Sequence, residues 1–408
     1  MPRVLQILNR FNIGGPTYNV AYLTRHMPPE FETMLIGGLP EASEESSGHI
    51  LDGMGISPVI LPDLHRRISP WRDLLSYRHI KQVIKDFKPD IVHTHAAKAG
   101  AVGRMAAHDL GVKAVVHTFH GHVFHSYFGP ARTSVFKNVE RFLSHRTSRI
   151  IAISEKQKSE LVDEHRICAE DKVSVIPLGF DLAKFREGQA EKRALFRKVY
   201  GVADDEIVVA IVGRLVPVKN HALFLRALQY VQARSGKRVR GFIVGDGQER
   251  GSIRQLSAAM GISMAHATSF NGHGFGHGVN GKPVVPRADL TFTGWVNDVD
   301  FVHAGADVVA LSSFNEGTPV SLIEAQAAGC PVVSTRVGGV ENVVSHGHTG
   351  LLCPVDDALS FGESLLRLVE DDQMRSRMRT AGWQQVGERY HYSRLVRDTA
   401  SLFHELIA

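Results

Sequence analysis

The chain has 408 residues, 43% apolar and 22% charged, with a net charge of +5. That length points to two domains, and the balance is that of an ordinary soluble globular protein. The three cysteines, Cys168, Cys330 and Cys353, fit neither a zinc site nor a disulfide framework, so a reducing cytoplasm is expected. No leader pattern precedes the first strand, and no apolar run approaches the roughly 18 residues that span a bilayer.

In chain order, short β-rich apolar runs alternate with helical patterns. The first half reads as strands at 4–8, 32–37, 58–61, 90–95, 114–119, 149–154 and 173–178. Helix-like segments such as Tyr18–His26, Leu74–Phe87 and Ala99–His108 lie between them. The pattern restarts with strands at 207–213, 240–245, 290–294, 308–313, 331–336 and 350–354, and helices at Asn220–Ala233 and Ser321–Ala328. Strand–helix alternation implies parallel sheet with crossover helices. The expected fold is α/β: two facing doubly wound, Rossmann-like domains with a cleft between them. The expected boundaries are 1–185, 186–388 and a C-terminal segment 389–408. Ligands of such sheets sit beyond the carboxyl ends of the strands.

Basic residues cluster in the first half. One group is Arg66, Arg67, Arg72, Arg78, Lys81, Lys85 and Lys88; a second is Arg132, Lys137, Arg141, Arg146 and Arg149. They read as a solvated helix face or as a patch for an anionic membrane. No nucleic-acid motif accompanies them, so no nucleic-acid partner is expected. The stretch 263–288, containing FNGHGFGHGVNG, has no hydrophobic period and reads as an inserted loop. Its His273 and His277 lack a neighbouring carboxylate or thiol, so no metal site is expected there.

Three stretches of the second half carry chemistry. In VGRLVPVKNH, residues 212–221, Arg214 and Lys219 follow a strand and suit phosphate oxygens. In IVGDGQER, residues 243–250, Gly245 and Gly247 permit close backbone approach, but Arg250 replaces the last glycine of a dinucleotide fingerprint. In NEGTPVSLIEAQAAGCPVVSTRVGGVE, from Asn315 to Glu341, Thr318 reads as an N-cap and Pro319 as the first helical residue. Glu316 then lies in the preceding loop and Glu324 early in the helix. Free N–H groups at Thr318–Ser321 would form an anion site. A diphosphate there would leave one carboxylate for sugar hydroxyls and the other for ribose hydroxyls.

Together these stretches resemble the family-4 glycosyltransferases with the GT-B fold. The resemblance continues through Gly338-Gly339, Glu341 and HGHTGLL at 346–352. It implies a retaining transferase, of hexosyl or N-acetylhexosaminyl type, using a nucleoside-diphosphate sugar and no cofactor or metal. Carried onto this chain, Gly213, Arg214 and Lys219 bind the diphosphate with Gly245 and Gly247 nearby. Glu316 contacts the donor sugar, helped by Gly317, Thr318, Pro319 and Val320, and Glu324 binds ribose. Trp295 and Val296 flank the base, and Gly14 and Gly15 approach the diphosphate. The segment HTFHGH, residues 117–122, supplies a histidine near the transferred sugar, taken as His120. His93, His95 and Lys98 line a strand end and could touch acceptor or donor. The resemblance also sends the C-terminal helix, read at Tyr390–Ile407, back to the first domain.

The expected partners are a nucleotide sugar, a saccharide or lipid-linked acceptor, and an anionic inner-membrane face touched peripherally. The expected role is polysaccharide or glycolipid synthesis. The rival readings are a glycoside hydrolase using Glu316 and Glu324, a sugar-nucleotide epimerase, and a non-catalytic binding module. A hydrolase needs paired carboxyls but no cationic clamp.

Overall fold

The computed structural model describes residues 1–12, 14–41, 46–65, 69–121, 130–267 and 285–408. For residues 130–132 only the backbone is described. Arg66, Arg67, His273, His277 and the Arg132 side chain therefore lie outside the described residues.

The chain folds as two compact units, Met1–Phe180 with Arg389–Ala408, and Asp181–Glu388. The first unit runs β1 (Arg3–Arg10), α1 (Gly15–His26), β2 (Glu32–Gly38), α2 (Gly48–Gly53), β3 (Val59–Ile60), α3 (Pro70–Phe87) and β4 (Ile91–His95). It continues with α4 (Ala97–Asp109), β5 (Ala114–Phe119), α5 (Pro130–Ser144), β6 (Arg149–Ala152), α6 (Glu155–Ser159) and β7 (Val173–Val175). Its 7-stranded sheet has the order β3-β2-β1-β4-β5-β6-β7, with parallel pairing.

The second unit opens with α7 (Gln189–Tyr200), β8 (Ile207–Val212), α8 (His221–Arg234), β9 (Val239–Val244), α9 (Arg250–Ala259), β10 (Met264–His266) and β11 (Leu290–Gly294). It continues with α10 (Val299–Gly305), β12 (Val308–Leu311), α11 (Val320–Ala327), β13 (Val332–Thr335), α12 (Val340–Val343), β14 (Gly350–Cys353), α13 (Ala358–Glu370) and α14 (Asp372–Val386). Its 7-stranded parallel sheet has the order β10-β11-β9-β8-β12-β13-β14. The last helix, α15 (Tyr392–Ile407), packs against α1 in the first unit.

The central strands are apolar because both faces of each sheet are covered. In β1, Leu5 and Ile7 join the core under α3 and α4, with Ile80, Ile84 and Ala106. Val4 faces the opposite way and joins Leu23 of α1 with Leu395 and Phe403 of α15. In each sheet, chain order reverses direction beside the first strand: between β1 and β4, and between β8 and β12. These are the crevices where doubly wound sheets take ligands.

Three local expectations are corrected. Met264–His266 lies in the stretch expected to be a loop, yet it forms edge strand β10, pairing Met264 with Leu290. Its strand hydrogen bonds come from β11 and need no hydrophobic run. Helix α11 begins at Val320 with Pro319 as its cap residue, and Thr318 makes no capping bond. Pro319 has ψ of 92°, outside the helical range, so the helix starts one residue later than its composition implies. Tyr390 precedes α15, which His391 caps by accepting from the Ser393 N–H.

Candidate functional site

The crevice between β8 and β12 is where Lys219 and Glu316 meet. The loop after β8 carries Arg214 and Lys219; the loop after β12 carries Glu316. Because these strands are neighbours, the loops lie side by side and are cross-linked. The Phe314 N–H donates to the Val218 carbonyl at 2.8 Å, and Ser312 Oγ donates to the Lys219 carbonyl at 2.9 Å. Lys219 Nζ then meets Glu316 Oε1 at 2.5 Å, and Ser313 Oγ donates to the same oxygen at 2.5 Å. Both charged side chains are largely buried, 19% and 11% exposed. A pair this enclosed is held with little competition from water.

The Glu316 loop is fixed from behind. The Gly339 N–H donates to the Glu316 carbonyl at 3.0 Å. A Cβ on Gly338, which has φ of +50°, would stand 1.8 Å from that same carbonyl oxygen. Only glycine satisfies both the backbone angle and the approach. On the other side of β8, a Cβ on Gly245 would lie 2.1 Å from the Gly213 carbonyl oxygen. The Gly245 N–H donates to the Gly294 carbonyl at 2.9 Å. The strand ends of β8, β9 and β11 thus form one tier, from which Trp295 projects 39% exposed. Gly247 stacks on the Leu215 carbonyl.

Arg214 is exposed, and its side chain makes no hydrogen bond or ion pair among the described residues, while its carbonyl accepts from the Val216 N–H at 3.0 Å. Glu324 projects from α11, 18% exposed, with Oε2 3.8 Å from His303 Nε2. His303 is fully buried, and neither ring nitrogen has a hydrogen-bond partner among the described residues. Gly317 is exposed, while Thr318 and Val320 are partly buried and Pro319 is buried at the start of α11. Val296 follows Trp295, partly buried.

In the first unit the crevice lies between β1 and β4, and strand parity sorts the histidines. Side chains two apart share a face of a strand. Thr94 and His117 point toward α4, where Thr94 Oγ1 meets His117 Nδ1 at 2.8 Å. A Cβ on Gly100 of α4 would lie 2.5 Å from the His117 ring. His93, His95, Thr118 and Gln6 take the other face. His93 Nε2 meets Thr118 Oγ1 at 2.7 Å, and its ring packs edge-on against Phe403 of α15. His95 is bonded on both sides: Nε2 to Gln6 Oε1 at 2.9 Å, and Nδ1 to His120 Nε2 at 2.9 Å. His93 and His95 are fully buried, whereas His120 is partly exposed.

Burial drives these imidazoles toward the neutral form. It takes His93 down to about 3, with His120 a lesser contributor, and takes His120 itself to about 3. Burial also holds His95 and His117 well below the usual range, helped by their histidine neighbours and, at His117, by Arg104. All four are neutral at physiological pH. Directly after His95, Ala96 holds φ of 68° and ψ of 157°, a region nearly reserved for glycine and costing about 1–3 kcal/mol. Lys98 turns onto Asp73 of α3 at 2.5 Å. Gly14 precedes α1 in an extended conformation, and its carbonyl accepts from the Thr17 N–H at 3.1 Å. Gly15 opens that helix, and Pro16 falls in its first turn, where no helix N–H is needed.

Sequence reasoning missed Ser313, Gln6 and His303. Gln6 had a visible signal, as the one polar residue in the apolar run VLQIL at 4–8. Ser313 and His303 had none, because their roles arise from contacts made across the fold.

Among the described residues, no group of three His, Cys, Asp or Glu side chains could hold a metal. No helix among them is long and apolar enough to cross a membrane.

Residues 13–184 match the family model for Glycosyltransferase Family 4, and residues 192–271 with 286–385 match that for Glycosyl transferases group 1. An Escherichia coli relative is the UDP-Gal:alpha-D-GlcNAc-diphosphoundecaprenol alpha-1,3-galactosyltransferase. It is 31% identical over 330 residues, covering 80% of this chain and 79% of that protein. The D-inositol 3-phosphate glycosyltransferase of Nocardia farcinica is 30% identical over 316 residues, covering 74% of this chain and 63% of that protein. Among solved structures, Anabaena HepE in complex with UDP superposes with a TM-score of 0.78 at 19% identity, covering 99% of this chain and 100% of that one. The same protein with UDP-glucose gives 0.76 at 18% identity, covering 99% of each chain.

Proposed function

Since the chain belongs to the family-4 glycosyltransferases of the GT-B fold, we propose that it moves a sugar from a uridine-diphosphate sugar to a hydroxyl of a lipid-diphosphate-linked saccharide, with retention. The observation that carries this reading is the buried pair of Lys219 and Glu316, joined by Ser313 at the switch point of the second sheet. A cation and a carboxylate held together there match a ligand with a diphosphate on one side and sugar hydroxyls on the other. Lys219 and the exposed Arg214 take the diphosphate, and Glu316 accepts from the sugar hydroxyls. Glu324 takes the ribose, and Trp295 flanks the base. The uridine base is supported by the UDP and UDP-glucose complexes of HepE. The lipid-linked acceptor is supported by the E. coli relative's substrate.

Transfer proceeds by front-face substitution. The bond from the anomeric carbon to the diphosphate oxygen breaks as the acceptor hydroxyl oxygen bonds to that carbon on the same face. The hydroxyl proton passes to an oxygen of the departing diphosphate, and the cations stabilise the charge that develops on the leaving group. Because those cations already neutralise it, turnover in excess EDTA should match turnover without it; a requirement for added divalent metal would remove this part of the reading. The central test is a thermal-shift screen of UDP-galactose, UDP-glucose, UDP-N-acetylglucosamine and GDP-mannose. Stabilisation by a UDP-sugar, about 2.7 kcal/mol at 100 times its Kd, is expected. A chain that no UDP-sugar stabilises overturns the donor assignment.

A lipid-linked acceptor calls for work at the cytoplasmic membrane face. Helix α5 suits it: Val135, Val139 and Phe142 recur at helical spacing and are 61%, 42% and 48% exposed. Arg146 lies over the Phe142 ring. Helix α3 adds exposed Trp71 with Arg72, Arg78 and Lys85, and α4 packs against both helices. Apolar side chains ringed by bases suit an anionic interface. Pelleting with phosphatidylglycerol vesicles at low salt, weakened at high salt and by Phe142→Ser, is expected. Failure to pellet at low salt would remove the membrane contact.

A further inference from the structure

We infer that Gln6 acts through His95 to fix which nitrogen of His120 carries the proton, leaving His120 Nδ1 as an acceptor for a sugar hydroxyl. The inference rests on His120 facing substrate and makes Gln6 and His95 positioning residues.

The argument runs along two contacts. Gln6 Oε1 faces His95 Nε2 at 2.9 Å. With the amide oxygen turned toward His95, and Gln6 Nε2 buried without a hydrogen-bond partner among the described residues, His95 Nε2 carries a proton, since an amide oxygen only accepts. A neutral imidazole has one N–H and one lone pair, so His95 Nδ1 is bare. That nitrogen lies 2.9 Å from His120 Nε2, and two lone pairs cannot face each other at that distance. His120 Nε2 therefore carries a proton, and Nδ1 is bare in turn. The doubly protonated alternatives are suppressed by burial, which holds both rings well below the usual imidazole range.

At the far end of this chain the last acceptor is unpaired. His120 Nδ1 is covered and has no hydrogen-bond partner among the described residues. A covered acceptor without a donor is costly, and here it awaits an O–H. A nucleotide sugar and a saccharide acceptor both offer one. The opposite orientation of the chain would present an N–H and would suit a phosphate oxygen instead. The Gln6 carbonyl thus selects hydroxyl over phosphate at His120. Gln6 is itself fully buried in the middle of β1, and Ala96 keeps its strained backbone next to His95. Strain of this kind persists where surrounding structure over-determines it.

The test reads the tautomers directly. Long-range proton–nitrogen correlation spectra are recorded on the ligand-free, 15N-histidine-labelled full chain, with His95→Asn and His120→Asn giving the assignments. The expected result is that His95 and His120 are both protonated at Nε2 and bare at Nδ1. In Gln6→Glu, whose carboxylate also only accepts, the pattern should persist. In Gln6→Leu, the ratio of the two His120 tautomers should fall about fivefold, the size of one neutral hydrogen bond. Protonation of His120 at Nδ1 in the unaltered chain overturns the inference, as does an unchanged ratio in Gln6→Leu. If Gln6→Leu does not fold, the unaltered chain and Gln6→Glu still decide it. No nucleotide is present, so a failed UDP-sugar screen with these tautomers intact would remove the donor and leave the relay standing.

Discussion

Lys219 and Glu316 lie 97 positions apart in the chain and 2.5 Å apart in the fold. In the ligand-free chain each neutralises the other, so neither is left as an uncompensated buried charge. Under the proposed function, a diphosphate takes Lys219 while Ser313 keeps hold of Glu316, which lowers the cost of parting the pair. Lys219→Ala leaves Glu316 a largely buried carboxylate with Ser313 as its remaining side-chain donor. The variant should therefore lower stability and, in the protein that remains folded, reduce transfer roughly 100-fold, as deletion of one charge-stabilising donor does. Initial rates with the UDP-sugar that stabilises the chain would show it; unchanged turnover would remove Lys219 from the mechanism. The residue types here were legible, because Arg214, Lys219, Glu316 and Glu324 stand in motifs with a chemical reason for each member. Their partners were less so. Nothing in the spacing of Ser313 marks it as the second donor to Glu316, and His303 gives no hint that it lies beside Glu324.

At the scale of elements, the loops that carry the proposed site brace one another at the strand ends. Gly338 and Gly339 at the start of α12 hold the Glu316 carbonyl, and the loop after β8 holds Phe314. Gly338→Ala would add a methyl group 1.8 Å from a backbone oxygen at a φ of +50°. Because the obstacle is main chain, the loop carrying Glu316 must shift. We expect UDP binding at least tenfold weaker, about 1.4 kcal/mol, with circular dichroism unchanged; isothermal titration against UDP measures it. Wild-type affinity in that variant would show that the brace is dispensable. Strand positions in the sequence were readable to within one to three residues, the largest difference being at β7, which ends at Val175 and not at 178, since buried parallel strands are nearly continuous apolar runs. Edge strand β10 was not, because its stability comes from the neighbour it pairs with. The start of α11 was misplaced because Thr-Pro composition does not reveal that Pro319 keeps an extended ψ.

At the scale of the whole molecule, the last helix belongs to the first unit. The chain leaves that unit at Phe180 and rejoins it at Arg389, and α15 adds Leu395, Val396, Ala400, Leu402 and Phe403 to the core shared with β1, β4 and β5. Phe403 is fully buried against His93. Phe403→Ala should cost about 3–5 kcal/mol, read as a lower denaturant midpoint for the first unit, and removal of 389–408 should prevent that unit from folding. An unaltered midpoint in Phe403→Ala would mean that α15 is an appendage. The amino-acid order by itself determined the alternation of strands and helices, the restart into a second sheet, and the motif residues. These depend on local pattern: apolar period, turn chemistry and the spacing of charged groups. Only tertiary structure decided which strands are neighbours, and so which loops share a crevice. It alone set Lys219 against Glu316, and Gln6 against His95. The reason is physical: local pattern chooses the conformation of a segment, whereas contacts between distant segments are chosen by the packing of both faces of a sheet at once.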